Sequence, residues 1–224
     1  DARMYPMSLA LTLAAVYFGL EALQRQRWPW ITAYVLAAWL ALHTHYYAVF
    51  VLVGLNLFVI GRAIFVARTR FLLAPWLLWQ VIVVALYIPW FMRAGMILSG
   101  YGGNGDSPGI GDAIGRAAGV FTAGETLSGD QRIWFVAAAT ALLLIGIIRL
   151  AMGGSDDRRN LGLLACYLGA PLAAIWYSAQ TRPIFNERYL IVALPPFYLL
   201  LVAAFEGKKW RPVAQRAIRI VVSL

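Results

Sequence analysis

Long apolar runs separated by short polar breaks dominate the chain. They fall near residues 6–24, 28–44, 46–64, 71–91, 133–149, 160–179 and 189–205. Each is close to the ~20 residues an α-helix needs to cross a bilayer, so the pattern predicts an all-α, polytopic membrane helix bundle with about seven transmembrane helices. The stretch from Trp28 to Ile64 needs arbitration. As one helix it would run about 55 Å, against a hydrocarbon core of about 30 Å. Two shorter helices, broken near His43-Thr44-His45-Tyr46-Tyr47, fit instead. No internal repeat or compositional boundary divides the bundle. Residues 1–224 therefore read as a single transmembrane domain with one long loop at 92–132.

Within that loop, Ser99 to Gly111 is rich in glycine and is expected to be mobile or ordered by a ligand. Beyond it, Ile110, Ile114, Ala117, Ala118 and Phe121 recur at helical spacing, with Asp112 and Arg116 as an i,i+4 pair opposite. That pattern predicts a short helix over Ile110 to Phe121, lying in the membrane interface.

Charge gives the bundle a direction. Arg25 and Arg27, then Arg62, Arg68 and Arg70, then Arg149, Arg158 and Arg159 flank alternate ends of the apolar runs. A last cluster is Lys208, Lys209, Arg211, Arg216 and Arg219; together these are 13 of the 19 basic residues. The positive-inside rule places them in the cytoplasm. Parity then puts three polar segments on the extracytoplasmic face (the start of the chain, the His-Tyr break, and Thr181 to Tyr189), together with the long loop 92–132. The chain is thus expected to be an integral membrane protein with these segments outside.

Composition agrees. Hydrophobic residues make up 62% and charged residues 13%, with a mean hydropathy of +0.71, too little charge to cover a soluble domain. A net charge of +9 would suggest nucleic acid in a soluble protein. Here the cations flank apolar spans, so no nucleic-acid partner is expected. The one cysteine, Cys166, lies in an apolar run and provides no disulfide framework. The chain opens on a charged motif without an initiator Met and stops inside the apolar run Ile218 to Leu224. It is therefore expected to be a fragment of a longer membrane protein.

Candidate chemistry gathers at the extracytoplasmic ends. Asp1 and Arg3 sit side by side at the mouth of the first helix. They read either as a boundary ion pair or as a carboxylate orienting an acceptor or metal beside a phosphate-binding arginine. His43 and His45 cannot share a helical face, but in a turn both could point into one cavity, with Tyr46 and Tyr47 beside them. Aromatic-belt preference explains the tyrosines; ionisable groups in an apolar stretch are functional candidates. No third ligand has zinc-site spacing. Glu187-Arg188-Tyr189 precedes Pro195-Pro196, which predicts a kinked helix lining a cavity. Arg188 could simply snorkel to the interface, but with Arg182 in the same short loop it suits phosphate. A phosphate-cradling glycine loop, His-Glu-x-x-His, Gly-x-Ser-x-Gly and paired-cysteine motifs are all missing from the sequence. A membrane enzyme working outside without nucleotides needs an activated donor that arrives in the bilayer, and a lipid-linked phosphosugar meets that need.

Three motifs then align with a family. Asp1-Ala2-Arg3-Met4-Tyr5 resembles the acidic-Ala-Arg-Met-Tyr motif of bacterial family 39-like glycosyltransferases, relatives of protein O-mannosyltransferases and of the aminoarabinose transferase that modifies lipid A. Leu42-His43-Thr44-His45-Tyr46-Tyr47-Ala48 resembles their Thr-His-Tyr segment. Glu187-Arg188-Tyr189-Leu190, with Leu194-Pro195-Pro196, is similar to their Arg-Tyr-Leu…Pro segment. Order and spacing match across nearly the whole chain. The resemblance implies the C-type glycosyltransferase membrane fold, a polyprenyl-phosphate sugar donor, an extracytoplasmic acceptor (glycan, lipid or protein) and inversion at the anomeric carbon. It implies that the main catalytic base lies in a loop before Asp1. Asp1 would orient acceptor or metal, His45 and Tyr46 would line the cavity, and Arg188 would hold the donor phosphate. The candidate substrate-binding set is thus Arg3, Tyr5, His43, His45, Tyr46, Arg182, Glu187, Arg188 and Tyr189. A divalent metal would find its ligands at Asp1 and His45. The competing classes are a transporter or flippase of lipid-linked glycans, and a scaffold whose boundary charges only fix topology.

Overall fold

The computed structural model describes residues 4–100, 102–103, 105–124 and 129–205, without the side chains of 96–99. Asp1, Arg3 and the cluster from Lys208 to Arg219 lie outside the described residues. Among the described residues the chain is helical, with eight α-helices and no strand. Five helical stretches are long and apolar enough to cross a membrane: Met4–Arg25, Ala48–Phe65, Ala67–Gly95, Gly129–Met152 and Ser155–Ala179. They mark the chain as an integral membrane protein.

Local chemistry explains where the helices stop. Helix α1, Met4–Arg25, ends where Gln26 turns to φ 50° and its side-chain amide donates to the Ala22 carbonyl at 3.2 Å. Glu21, buried near that end, pairs with Arg25, whose guanidinium also lies 4.8 Å over Trp30. Helix α2, Trp28–Thr44, starts with Pro29 in its first turn, where a missing N–H costs nothing. It is 17 residues long. The break expected near 43–47 is real and centres on His45. The His45 N–H closes α2 on Ala41 O at 3.0 Å, and its carbonyl accepts the Ala48 N–H at 2.9 Å to open α3, Ala48–Phe65.

A 3-10 helix, Ala67–Leu72, carries exposed Arg68 and Arg70 into α4, Leu73–Ser99. There follow α5, Ile110–Ala123, α6, Gly129–Met152, and α7, Ser155–Ala179. A second 3-10 helix, Glu187–Ala193, leads into α8, Leu194–Ala203. Pro195 and Pro196 therefore lie not inside one α-helix, as expected, but where the 3-10 helix gives way to α8. They occupy the first turn of α8, whose N–H groups have no intrahelical acceptor in any case. The prolines inside helices are Pro89 in α4 and Pro171 in α7.

The helices divide into two compact units. The first comprises Asp1–Ile110 and Cys166–Ala193: α1 to α4, the later part of α7 and the second 3-10 helix. Helices α1 and α2 form its most extensive pairing. Gly54 lets α3 approach α7 closely, because a Cβ there would stand 2.5 Å from the Cys166 carbonyl oxygen. At the centre lies a knot of polar and aromatic groups. Trp76 Nε1 donates to Asn56 Oδ1 at 2.7 Å, and Tyr34 Oη donates to Gln80 Oε1 at 3.0 Å. Asn56 Nδ2 donates to Leu52 O at 2.9 Å, and Gln80 Nε2 to Trp76 O at 3.4 Å. Tyr34 and Trp76 have no exposed surface.

The second unit comprises Gly111–Ala165 and Leu194–Leu224. There α6 packs on α8, and Arg149 Nη1 donates to Ala204 O at 2.9 Å, neutralising the end of α8. Helix α5 covers the expected 110–121 stretch and shows the Asp112–Arg116 ion pair at 3.6 Å. Its apolar stripe is split: Ala117 and Phe121 are buried, whereas Ile110 and Ile114 are exposed. Phe121 packs on Phe197 at 5.3 Å, and its carbonyl accepts the Tyr198 hydroxyl at 3.0 Å.

Candidate functional site

Three segments far apart in sequence meet within the first unit. Tyr5 comes from the first turn of α1, His45, Tyr46 and Tyr47 from the α2–α3 turn, and Tyr189 from the second 3-10 helix. The His45 ring lies 5.6 Å from Tyr5, 5.3 Å from Tyr46, 5.1 Å from Tyr47 and 5.5 Å from Tyr189. Tyr47 closes the group against Tyr189 at 4.6 Å. The α2–α3 hairpin puts the turn beside the start of α1, and the 3-10 helix packs on α1 and α3. Tyr47 is 2% exposed and serves as a hub that sequence reading passed over as an aromatic-belt residue. Its signal was present: a tyrosine directly after a histidine break, at the entry to a helix.

Electrostatics favour donors over bases here. Burial lowers the His45 pKa from its ordinary value, so the ring is neutral at pH 7, and burial raises that of Tyr46, which keeps its proton. Arg188 follows Glu187 in the 3-10 helix and is exposed. Its guanidinium acts electrostatically on Tyr5, and no carboxylate pairs with it among the described residues. The Arg188 backbone N–H is taken by Asn186 Oδ1 at 3.0 Å, which fixes the turn that presents the side chain.

The other candidates are distributed differently. His43 belongs to the last turn of α2 rather than to the break, and it faces α4. Its ring contacts Trp39 at 4.7 Å, Tyr87 at 5.3 Å and Trp90 at 5.8 Å. Residues two apart on a helix point to opposite sides, so the two histidines part company. Arg182 is exposed on the turn after α7, and Glu187 is half-buried at the start of the 3-10 helix. Among the described residues no group of three His, Cys, Asp or Glu gathers as a metal site; Asp1, the other candidate ligand, lies outside them.

The glycine-rich loop is docked on the segment that follows α7. Gly105 N donates to Pro183 O at 2.9 Å, and Asp106 and Phe185 exchange backbone hydrogen bonds at 3.3 and 3.0 Å. Ser107 Oγ donates to Ala179 O at 2.6 Å, and Gln180 Nε2 to Pro108 O at 3.2 Å. Any Cβ at Gly105 would collide with the Phe185 carbonyl, so glycine serves close approach here. The loop thus braces the chain leading to Arg188.

No family model matches this chain, nor does any curated protein or solved structure.

Proposed function

We propose that the chain is a polyprenyl-phosphate-sugar-dependent glycosyltransferase. In this reading it moves a sugar with inversion to an extracytoplasmic glycan, lipid or protein acceptor. The observation that carries the proposal is the convergence of Tyr5, the His45-Tyr46-Tyr47 turn and Tyr189 beside an exposed Arg188 without a described carboxylate partner. When the glycosidic bond to the lipid phosphate breaks, negative charge grows on the departing oxygen. A guanidinium that is charged at all accessible pH stabilises that charge, and neutral phenol and imidazole groups add donors without repelling it. Aromatic rings offer faces on which a sugar can stack.

The same reading gives the bundle about seven crossings. Helix α2 and the stretch from Glu187 to Ala203 supply the two beyond the five longest helices. The arrangement is of the C-type glycosyltransferase kind, set in a bacterial plasma membrane with the cluster on the extracytoplasmic face. In this reading Asp1 orients the acceptor or a divalent metal, and Arg3 helps bind substrate. No residue of this chain is assigned as the base that deprotonates the acceptor.

The test is sugar transfer from a polyprenyl-phosphate donor by the full-length protein, normalised to folded molecules. Arg188→Ala lowers it about ten- to a hundred-fold, the worth of one charge-assisted hydrogen bond of about 1.5–3 kcal/mol. Arg188→Lys recovers only part, since an ammonium keeps charge but loses the planar fork. Near-normal transfer by Arg188→Ala removes Arg188 from the site. A wild-type protein that carries the lipid across the bilayer without forming product is instead a transporter.

A further inference from the structure

The chain has two histidines, two positions apart, and the backbone around each fixes its ring in a different proton state. His43 Nδ1 lies 2.9 Å from the Trp39 carbonyl oxygen. A carbonyl can only accept, so Nδ1 carries a proton. His45 is the reverse. Its Nδ1 lies 3.3 Å from the Tyr47 backbone nitrogen, which can only donate. Nδ1 must therefore be the bare nitrogen, and the proton sits on Nε2.

The reason for the His45 arrangement is helix capping. Tyr47 stands at the N-cap of α3 without a side-chain cap of its own, and the first N–H groups of a helix need outside acceptors. His45 supplies two: its carbonyl to Ala48 and its ring to Tyr47. Protonating the ring fully would turn Nδ1–H toward a backbone N–H and place a cation at the positive end of α3. Binding a metal through Nε2 would likewise force the proton onto Nδ1 and break the cap. His45 is 8% exposed as a residue, and no described residue accepts a hydrogen bond from its Nε2.

We infer that His45 is a fixed neutral hydrogen-bond donor whose Nε2–H is reserved for an anionic oxygen of the ligand, and that it serves neither as a base nor as a metal ligand. The ligand half of this inference rests on the function proposed above; the proton placement does not. Around the ring stand the phenols of Tyr5, Tyr46, Tyr47 and Tyr189, and the Arg188 guanidinium acts on one of them, Tyr5. A phosphate oxygen held by the His45 Nε2–H would lie against the same Tyr5 ring that the Arg188 guanidinium acts on.

With only two histidines, a nitrogen-15 imidazole spectrum of the chain in lipid nanodiscs contains two ring systems, assigned by a His43→Asn variant. The expected result is one Nδ1–H ring, His43, and one Nε2–H ring, His45, without added ligand or metal. A polyprenyl phosphate then perturbs the His45 Nε2–H and leaves the type of ring unchanged. Binding of the same lipid is measured for two variants. His45→Asn keeps an acceptor where Nδ1 stood, so it caps α3 and folds, but it loses the outer donor and binds about tenfold or more weakly. His45→Gln places an amide donor near the Nε2 position and binds better than His45→Asn. An Nδ1–H ring at His45, or wild-type affinity in His45→Asn, overturns the inference. A wild-type protein with the expected rings but no response to polyprenyl phosphate at His45 or Arg188 overturns the proposed function, and with it the ligand assignment.

Discussion

Two polar–aromatic groups lie within the first helical unit, one between helices and one at their ends. The knot of Tyr34, Asn56, Trp76 and Gln80 is closed: the indole N–H, the phenol and both amide groups find partners inside it. The end cluster of Tyr5, His45, Tyr46, Tyr47 and Tyr189 is open. Its rings touch one another, yet the His45 Nε2 has no partner among the described residues and Arg188 stands exposed beside it. In hydrocarbon an unmet polar group is costly, so a closed network is what a structural role requires. Donors left unmet at a helix end make sense where a ligand, or water in its absence, completes them.

The sharpest way to break the comparison is to damage the knot. Trp76→Ala removes a fully buried indole and strands the Asn56 oxygen, so unfolding in detergent should show a loss of about 3–5 kcal/mol. Polyprenyl-phosphate binding per folded molecule should be unchanged. Lost binding with stability intact would mean that the knot belongs to the site.

The sequence revealed more about the frame than about which way its side chains face. The interruption near residues 43–47 followed from length and charge parity, since one helix from Trp28 to Ile64 cannot fit a bilayer and basic clusters flank both its ends. The α5 helix followed from its spacing and from the Asp112–Arg116 pair. Other features depend on tertiary contacts that periodicity does not report. Asn56 and Gln80, which sequence reading did not single out, meet only when α3 and α4 pack together. The stretch from Ser99 to Gly111 reads as mobile or ligand-ordered by its glycines, but Gly103 and Gly105 allow close backbone approach to Pro183 and Phe185. The candidate site was legible as three motifs, and the structure joins Tyr5, His45, Tyr46 and Tyr189 from them. His43 was misplaced because the last turn of α2 extends one residue beyond it and turns its ring toward Trp39, Tyr87 and Trp90.

A smaller effect separates the regions by pH. No member of the knot titrates near neutrality, whereas burial holds the His45 pKa below its ordinary 6.5. The unfolded chain then binds a proton more readily than the folded one. The stability contributed by neutral His45 is complete above about pH 6.5 and is lost progressively as the pH falls toward the lower, folded pKa. Unfolding measured across pH 7 to 5 should show this slope in the wild type and less of it in His45→Gln. An unchanged slope would show that His45 is not held neutral.

The most direct test of the open cluster uses the same residue type in both regions. Fluorotyrosine is placed singly at position 5, 46 or 189 in the open cluster, or at position 34 in the closed knot, and fluorine spectra are recorded as polyprenyl phosphate is added in nanodiscs. The resonances at 5, 46 and 189 should move together and saturate, while that at 34 stays still. A shift at 34 equal to the others, or no saturable shift at 5, 46 and 189, would contradict the assignment of the ligand to the open cluster.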